Sequence, residues 1–323
     1  MGLGVLEIIN SLLKHLEGSV IRKCEDPGSR DMQSYQEALL SCIEQYTLNI
    51  PDFQKKEIMT IILSKIPMDQ HQNVSANHMN VQYIYTKALF CVAKKHTSTF
   101  LSSTFSPTLL YSLLNLLQAK NSNVRLLALQ FFEILVDRHG NHEKIYAPTI
   151  DPRKFELSGI SDKPNKADEL FVQKSLVKIY ATIKNVLSEQ TNSKEFLDAV
   201  YATVILLSLE TSGVINSAIY LADLVDSMQT AAIEELALST RNRFSLHALA
   251  ISLLSFLALI VSSPEIDEYV ETIITARKLN APHMLPPLLE EYNPGLDPNT
   301  QGADVSPYFT ILLHSCIISL DRH

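Results

Sequence analysis

The chain has 323 residues, 46% of them hydrophobic and 19% charged, with no Trp, 9 Gly and 47 Leu. Scarce Gly and abundant Leu disfavour β-barrels, glycine-rich phosphate loops and disordered tails, and favour long helices that bury one another. The net charge is −8, and no Lys/Arg-rich run supplies the basic surface of a nucleic-acid binder or a charge-driven grip on anionic lipid headgroups.

The N-terminal stretch from Met1 lacks a basic segment, and Glu7 interrupts its apolar run, so it does not read as a secretory signal. Gly2 is not followed by the Ser or Thr that myristoylation wants, because position 6 is Leu6. Val5, Ile8, Ile9, Leu12, Leu13, Leu16 and Val20 then fall on one face of a first helix. A second helix is expected from Asp31 to Tyr46. A third opens at Pro51 and stops at Pro67. Val81 to Lys95 forms a fourth, and Ser106-Pro107 caps a Leu-rich fifth that runs to Gln118. A sixth helix begins after Asn121, buries Val124, Leu127, Ala128, Phe131 and Leu135, and ends near His139-Gly140, where Gly can take a left-handed conformation.

Lys144 to Lys166 breaks the pattern with Pro148, Pro152 and Pro164, and reads as an irregular loop. Further helices are expected over 167–187, 193–210, 213–229, 243–261 and 264–277, the last opened by Ser263-Pro264-Glu265. The segment from Phe244 to Val261 has no acid, Lys or Arg. It is just short of a membrane span and carries His247 and three Ser residues, so it reads as a buried inner helix. Residues 281–323 form a Pro-rich irregular segment with a final helix at 308–320. Paired helices recurring at about 40–50 residues have the period of HEAT or armadillo arrays. The expected class is all-α, a right-handed α-solenoid of HEAT/armadillo-like repeats over 1–280.

Residues with chemical potential are few. Gly159-Ile160-Ser161 is the nearest approach to a nucleophile elbow, but Lys163 stands where the second Gly belongs and no strand precedes it. Asp137, His139 and His142 are close in sequence, yet no further pair completes a zinc set; helix-end capping is the simpler role. His71 and His78 sit in an Asn/Gln-rich stretch read as exposed loop. Glu234-Glu235 and Glu290-Glu291 read as solvated surface, and Phe131-Phe132 as core. The scattered Cys24, Cys42, Cys91 and Cys316 read as reduced thiols. The residues therefore suggest no catalytic group, no metal and no cofactor.

Several strings go further. The run from Leu129 that ends Asp137-Arg138-His139-Gly140-Asn141 resembles a helix end in the Efr (eighty-five-requiring) family, also called rolling blackout or stambh A. Arg277-Lys278 followed by Ala281-Pro282-His283-Met284-Leu285-Pro286 is similar to a second family segment, with His283 in place of an aromatic residue. Val5-Leu6-Glu7 through Leu12-Leu13, and Ile62 to Pro67, fit in order and spacing, so the resemblance covers roughly residues 5–290.

The resemblance implies a non-catalytic scaffold on the cytoplasmic face of the plasma membrane. Family members recruit the type III alpha phosphatidylinositol 4-kinase with its tetratricopeptide-repeat and hyccin-type subunits, sustaining phosphatidylinositol 4-phosphate. The matching residues would be structural or partner-contacting. Anchoring in the family uses N-terminal cysteines and a basic patch, which have no counterpart here, so this chain is expected to align with the C-terminal half of the rod and to be cytosolic alone. With upstream repeats missing, the Val5–Val20 helix would present apolar surface, and the chain would self-associate or bind detergent. A generic cytosolic helical-repeat adaptor is the alternative reading.

Overall fold

A computed structural model describes residues 3–25, 30–67, 76–94, 96–160, 165–188, 192–235, 237–293 and 295–296. The expected helix at 308–320, and His71, Ser161, Lys163 and Cys316, lie outside these. Among the described residues every regular element is helical. The chain divides into two compact units, Met1–Leu135 and Val136–His323.

The first unit holds α1 (Leu3–Glu25), α2 (Arg30–Leu48), α3 (Asp52–Lys65), α4 (Ala76–Ala93), the single turn α5 (Leu101–Thr104), α6 (Pro107–Leu117) and most of α7 (Ser122–Val136). Ile9, Leu13, Leu16 and Val20 recur at helical spacing and are buried on the side of α1 that meets α2 and α4. Ile8 and Ile21, on the two flanks of this face, are left nearly half exposed. Burying each Leu or Ile stabilises by about 1.5–3 kcal/mol, and polar ties fix the relative register. Tyr85 donates to Glu17 at 3.0 Å, and Lys94 pairs with Glu44 at 2.9 Å. Stop and start signals act as the chemistry requires. Ile66, ahead of Pro67, is extended; Ser106 Oγ accepts the Leu109 N–H, with Pro107 in the first turn. Phe131 and Phe132 are fully buried, and Phe132 stacks on Phe105 with ring centroids 4.8 Å apart.

The second unit holds α8 (Lys166–Phe171), α9 (Val177–Leu187), α10 (Lys194–Glu210), α11 (Ile215–Glu234), α12 (Thr240–Val261) and α13 (Pro264–Asn280), with 3₁₀ turns at Pro152–Lys154 and Pro282–Met284. α12 lies at its centre, against α10, α11, α13 and both 3₁₀ turns. Every residue from Asn242 to Ala258 is buried, which is why the helix is apolar on all sides. By length and composition it could cross a membrane; here it is packed inside the unit, as its His and Ser content suggested.

Three local readings differ from the sequence expectation. The stretch read as one helix over 167–187 contains a π-helical turn at Val172–Leu176. Buried residues come in pairs there: Phe171-Val172, Ser175-Leu176 and Ile179-Tyr180. A four-residue repeat drifts about 40° per turn against a 3.6-residue helix, and one wider turn takes up that drift. Ser263 does not cap α13 through a backbone N–H; its Oγ donates to Glu265 Oε2 at 2.6 Å. The irregular 144–160 segment is anchored: Ile145, Pro148 and Pro152 are buried, and the 3₁₀ turn at Pro152–Lys154 rests on α12. Arg153 pairs with Asp267 at 2.8 Å.

Candidate functional site

The Asp137–Asn141 string forms a knot of side-chain to backbone bonds. The Asp137 carboxylate accepts the N–H groups of His139 (3.2 Å), Asn141 (3.0 Å) and His142 (2.8 Å), closing the turn that follows α7. Gly140 takes φ +70°, four residues past the helix end rather than at its cap. Arg138 donates through its backbone N–H and Nε to the Glu210 carboxylate at 2.9 and 2.6 Å. Its Nη atoms reach Asp168 at 3.2 and 3.1 Å and the Glu210 carbonyl at 2.6 Å. Glu210 is the last residue of α10 and its side chain is fully buried. Burial works against the Arg138 charge, but hydrogen bonds to Glu210 and Asp168 outweigh it and raise the guanidinium above its ordinary value. Arg138 thus stays charged and joins the turn to α8 and the end of α10.

His139 Nδ1 lies 2.9 Å from Glu210 Oε1, so it serves this carboxylate rather than a helix dipole. Gly159 sits against the His139 ring with φ +88°; a Cβ there would come within 2.4 Å of the ring's Nδ1, so both the space and the backbone favour Gly. Fully buried Asn141 exchanges two bonds with Ser158, donating Nδ2–H to its carbonyl (2.7 Å) and accepting its N–H (3.0 Å). With Asp137 turned toward backbone and His139 toward Glu210, these residues do not converge as metal ligands. Among the described residues no group of three His, Cys, Asp or Glu side chains does.

The second string is anchored by Arg277, which is fully buried near the end of α13. Its Nη1 donates to the carbonyls of His247 (2.9 Å) and Met284 (3.2 Å), tying the 3₁₀ turn to the middle of α12. Ala281 and Met284 pack on Phe244, while Pro282 opens the turn, Leu285 is buried and Pro286 is half-buried. His283 meets Phe244 edge-on at 4.4 Å, so an imidazole fills the place of the expected aromatic ring. Lys278 is exposed. His247 is buried, and burial together with Arg277 and Arg243 pushes its pKa down to about 3. Gln229 Nε2 lies 2.8 Å from His247 Nδ1; a donor amide there makes Nδ1 the acceptor and places the ring proton on Nε2.

Three residues that sequence reasoning passed over complete these clusters. Glu210 ends the stretch from Ala199 to Leu209 in α10, which holds no other charged residue, and a single carboxylate closing such a run was the available signal. Asp168 lies near the start of α8. Arg243 donates to the carbonyls of Ala232, Ile233, Glu235 and Leu238, satisfying the C-terminal end of α11. His78 is placed in the first turn of α4 and is half-buried, not in an exposed loop. Glu234, Glu235, Glu290 and Glu291 are exposed as expected, with Arg241 3.4 Å from Glu290. Both strings therefore stitch elements together, leaving open grooves and exposed side chains as the surfaces a partner could meet.

Comparison with known proteins places these strings in a family. The family model described as EFR3, armadillo repeat matches residues 1–320. The chain is 29% identical over 287 residues to a protein EFR3 homolog of Caenorhabditis elegans, covering 84% of this chain and 32% of that protein. It is 29% identical over 293 residues to protein EFR3 homolog cmp44E of Drosophila melanogaster, covering 90% and 34%. To protein EFR3 homolog B of Homo sapiens it is 26% identical over 335 residues, covering 96% and 40%. The chain thus spans about a third to two fifths of the length of these curated relatives. No solved structure matches it. The all-α architecture, the ordered strings and the match along nearly the whole sequence agree: the chain belongs to the EFR3 armadillo-repeat family.

Proposed function

We propose that this chain is a non-catalytic scaffold that positions the type III alpha phosphatidylinositol 4-kinase assembly, through its tetratricopeptide-repeat and hyccin-type subunits, at the cytoplasmic face of the plasma membrane. The observation that carries the reading is the family match over residues 1–320. A second observation is in keeping with it. The polar side chains of the two family-like strings are engaged in holding segments together: Asp137 closes a turn, Arg138 joins Glu210 and Asp168, and Arg277 joins His247 to Met284. Such a scaffold acts by position. Holding the kinase near its lipid raises effective concentration without new chemistry.

The test is to deplete the endogenous protein and follow the kinase and a phosphatidylinositol 4-phosphate sensor by imaging. Cells are then re-expressed with this chain alone or fused to a lipid anchor. Rescue of the kinase and the lipid by the anchored chain is the expected result. Unchanged kinase and lipid after depletion would leave the generic adaptor reading in its place. Fluorophosphonate labelling of the chain would instead reopen an enzymatic reading.

A further inference from the structure

The outer face of the α8–α9 segment runs against the charge of the rest of the chain. From Leu170 to Ser188 there is no acidic residue, yet Lys174, Lys178 and Lys184 are all present, in a chain of net charge −8. All three lysines are exposed. Lys174 and Lys178 are one helical turn apart, and Lys184, six residues on and about 120° around the helix from Lys178, lies on the groove wall with Val177 and Ala181. None of the three side-chain amines forms an ion pair among the described residues.

An open groove with a volume of about 220 Å³ lies between α9 and α11, so that its α9 side carries these lysines and no acid. Val177, Ala181 and Lys184 form one wall, and Tyr220, Asp223 and Leu224 the other. Val177 is 49% exposed, a β-branched side chain left facing water at the mouth of the groove. An apolar cavity of about 150 Å³ already accepts benzene, so this groove has room for one aliphatic or aromatic side chain. The π turn ends at Leu176, and Val177 is the next residue. Such turns recur at functional sites; this one sits where the groove begins.

Shape and charge select the class of occupant. A bilayer is flat and cannot fill a recess, and a nucleic-acid backbone would bring phosphates against Asp223 on the far wall. An acidic peptide meets both conditions: its carboxylates lie along the lysine side, and one apolar residue enters the recess. We propose that this groove is a docking site for an acidic peptide segment of a partner protein. An apolar side chain seats between Val177 and Leu224, and flanking Asp or Glu residues face Lys174, Lys178 and Lys184. The inference holds whether or not that partner belongs to the lipid-kinase assembly.

The test pans random 12-residue peptides displayed on phage against the full chain, then measures fluorescein-labelled copies of the enriched peptides by anisotropy. The expected consensus is Leu, Ile or Phe flanked by Asp and Glu. Lys174→Glu/Lys178→Glu should weaken binding at least tenfold and flatten its salt dependence. Ala181→Trp, which fills the groove without changing charge, should also weaken it at least tenfold. A peptide with Lys in place of its acids should recover binding to the charge-reversed chain, which separates lost recognition from lost folding. The proposal is overturned if no acidic–apolar consensus emerges, or if the enriched peptides bind both variants as tightly as the unaltered chain. It is equally overturned if phosphatidylserine vesicles, rather than any peptide, bind in a manner that these lysines control.

Discussion

Replacing Arg138 by Ala isolates the contribution of the charged knot. The substitution removes four side-chain hydrogen bonds and leaves the carboxylates of Glu210 and Asp168, 0% and 9% exposed, without their shared cation. The backbone N–H of residue 138 can remain as one donor, and His139 Nδ1 still lies 2.9 Å from Glu210, so the loss is not the full desolvation of two free charges. Removing one partner of a buried ion pair typically costs about 3–5 kcal/mol. The expected effect is therefore about 3–5 kcal/mol, felt where the turn meets α8 and the end of α10. Hydrogen exchange by mass spectrometry reads this locally: amides in 139–145, 166–171 and 205–211 should lose protection by roughly two to nearly four orders of magnitude. Arg138→Lys should fall between, because an ammonium cannot reproduce the forked geometry. A change of less than fivefold in those amides would refute the claim that the knot holds this region together.

The remaining predictions concern single positions. Gly159→Ala forces the His139 ring aside and strains a φ of +88°, and should lower the stability of the second unit by about 1–3 kcal/mol, measured by urea unfolding. Ser262 ends α12 in a left-handed conformation at φ 53°; Ser262→Gly should raise Tm, with a gain of about 0.5–1 kcal/mol from relief of that strain. Burial, with Arg277 and Arg243 nearby, holds the folded pKa of His247 down at about 3, against about 6.5 for an imidazole in the unfolded chain. The unfolded chain therefore binds the proton first on acidification. The neutral ring's contribution is fully present above about 6.5 and is lost as pH falls toward 3, at up to about 1.4 kcal/mol per pH unit. His247→Gln should remove that slope from the acid-unfolding profile. Arg243→Ala leaves three carbonyls at the end of α11, and that of Leu238 in the turn beyond it, without their donor, and faster exchange at 231–235 and 237–238 is the expected signature.

What the sequence conveyed and what it withheld follow from the range of the interactions. The fate of Phe244 to Val261 was legible because an all-round apolar helix has few options, and its interior Ser residues bond carbonyls of their own helix: Ser252 to Ala248 and Ser255 to Ile251. The Asp137–Asn141 string stood out, but the purpose of Arg138 did not. Its partners lie 30 and 72 residues away, and no local spacing links them. The π turn was hidden because the pairs from Phe171 to Tyr180 fit a helix locally; only the accumulated drift against α11 requires a wider turn. The 144–160 segment was irregular on its face, and the burial of Pro152 depends on α12, nearly a hundred residues later.

The central place of α12 also sets a timetable for synthesis. Fourteen of the seventeen residues of α10 are buried in the finished unit, and part of what covers them is a helix completed about 50 residues later. At about 5–20 residues per second, a ribosome finishes α10 some 3–10 s before the last turn of α12 is made. For that interval the nascent chain carries a partly uncovered apolar stretch, and a chaperone that binds such segments would meet it at 199–209.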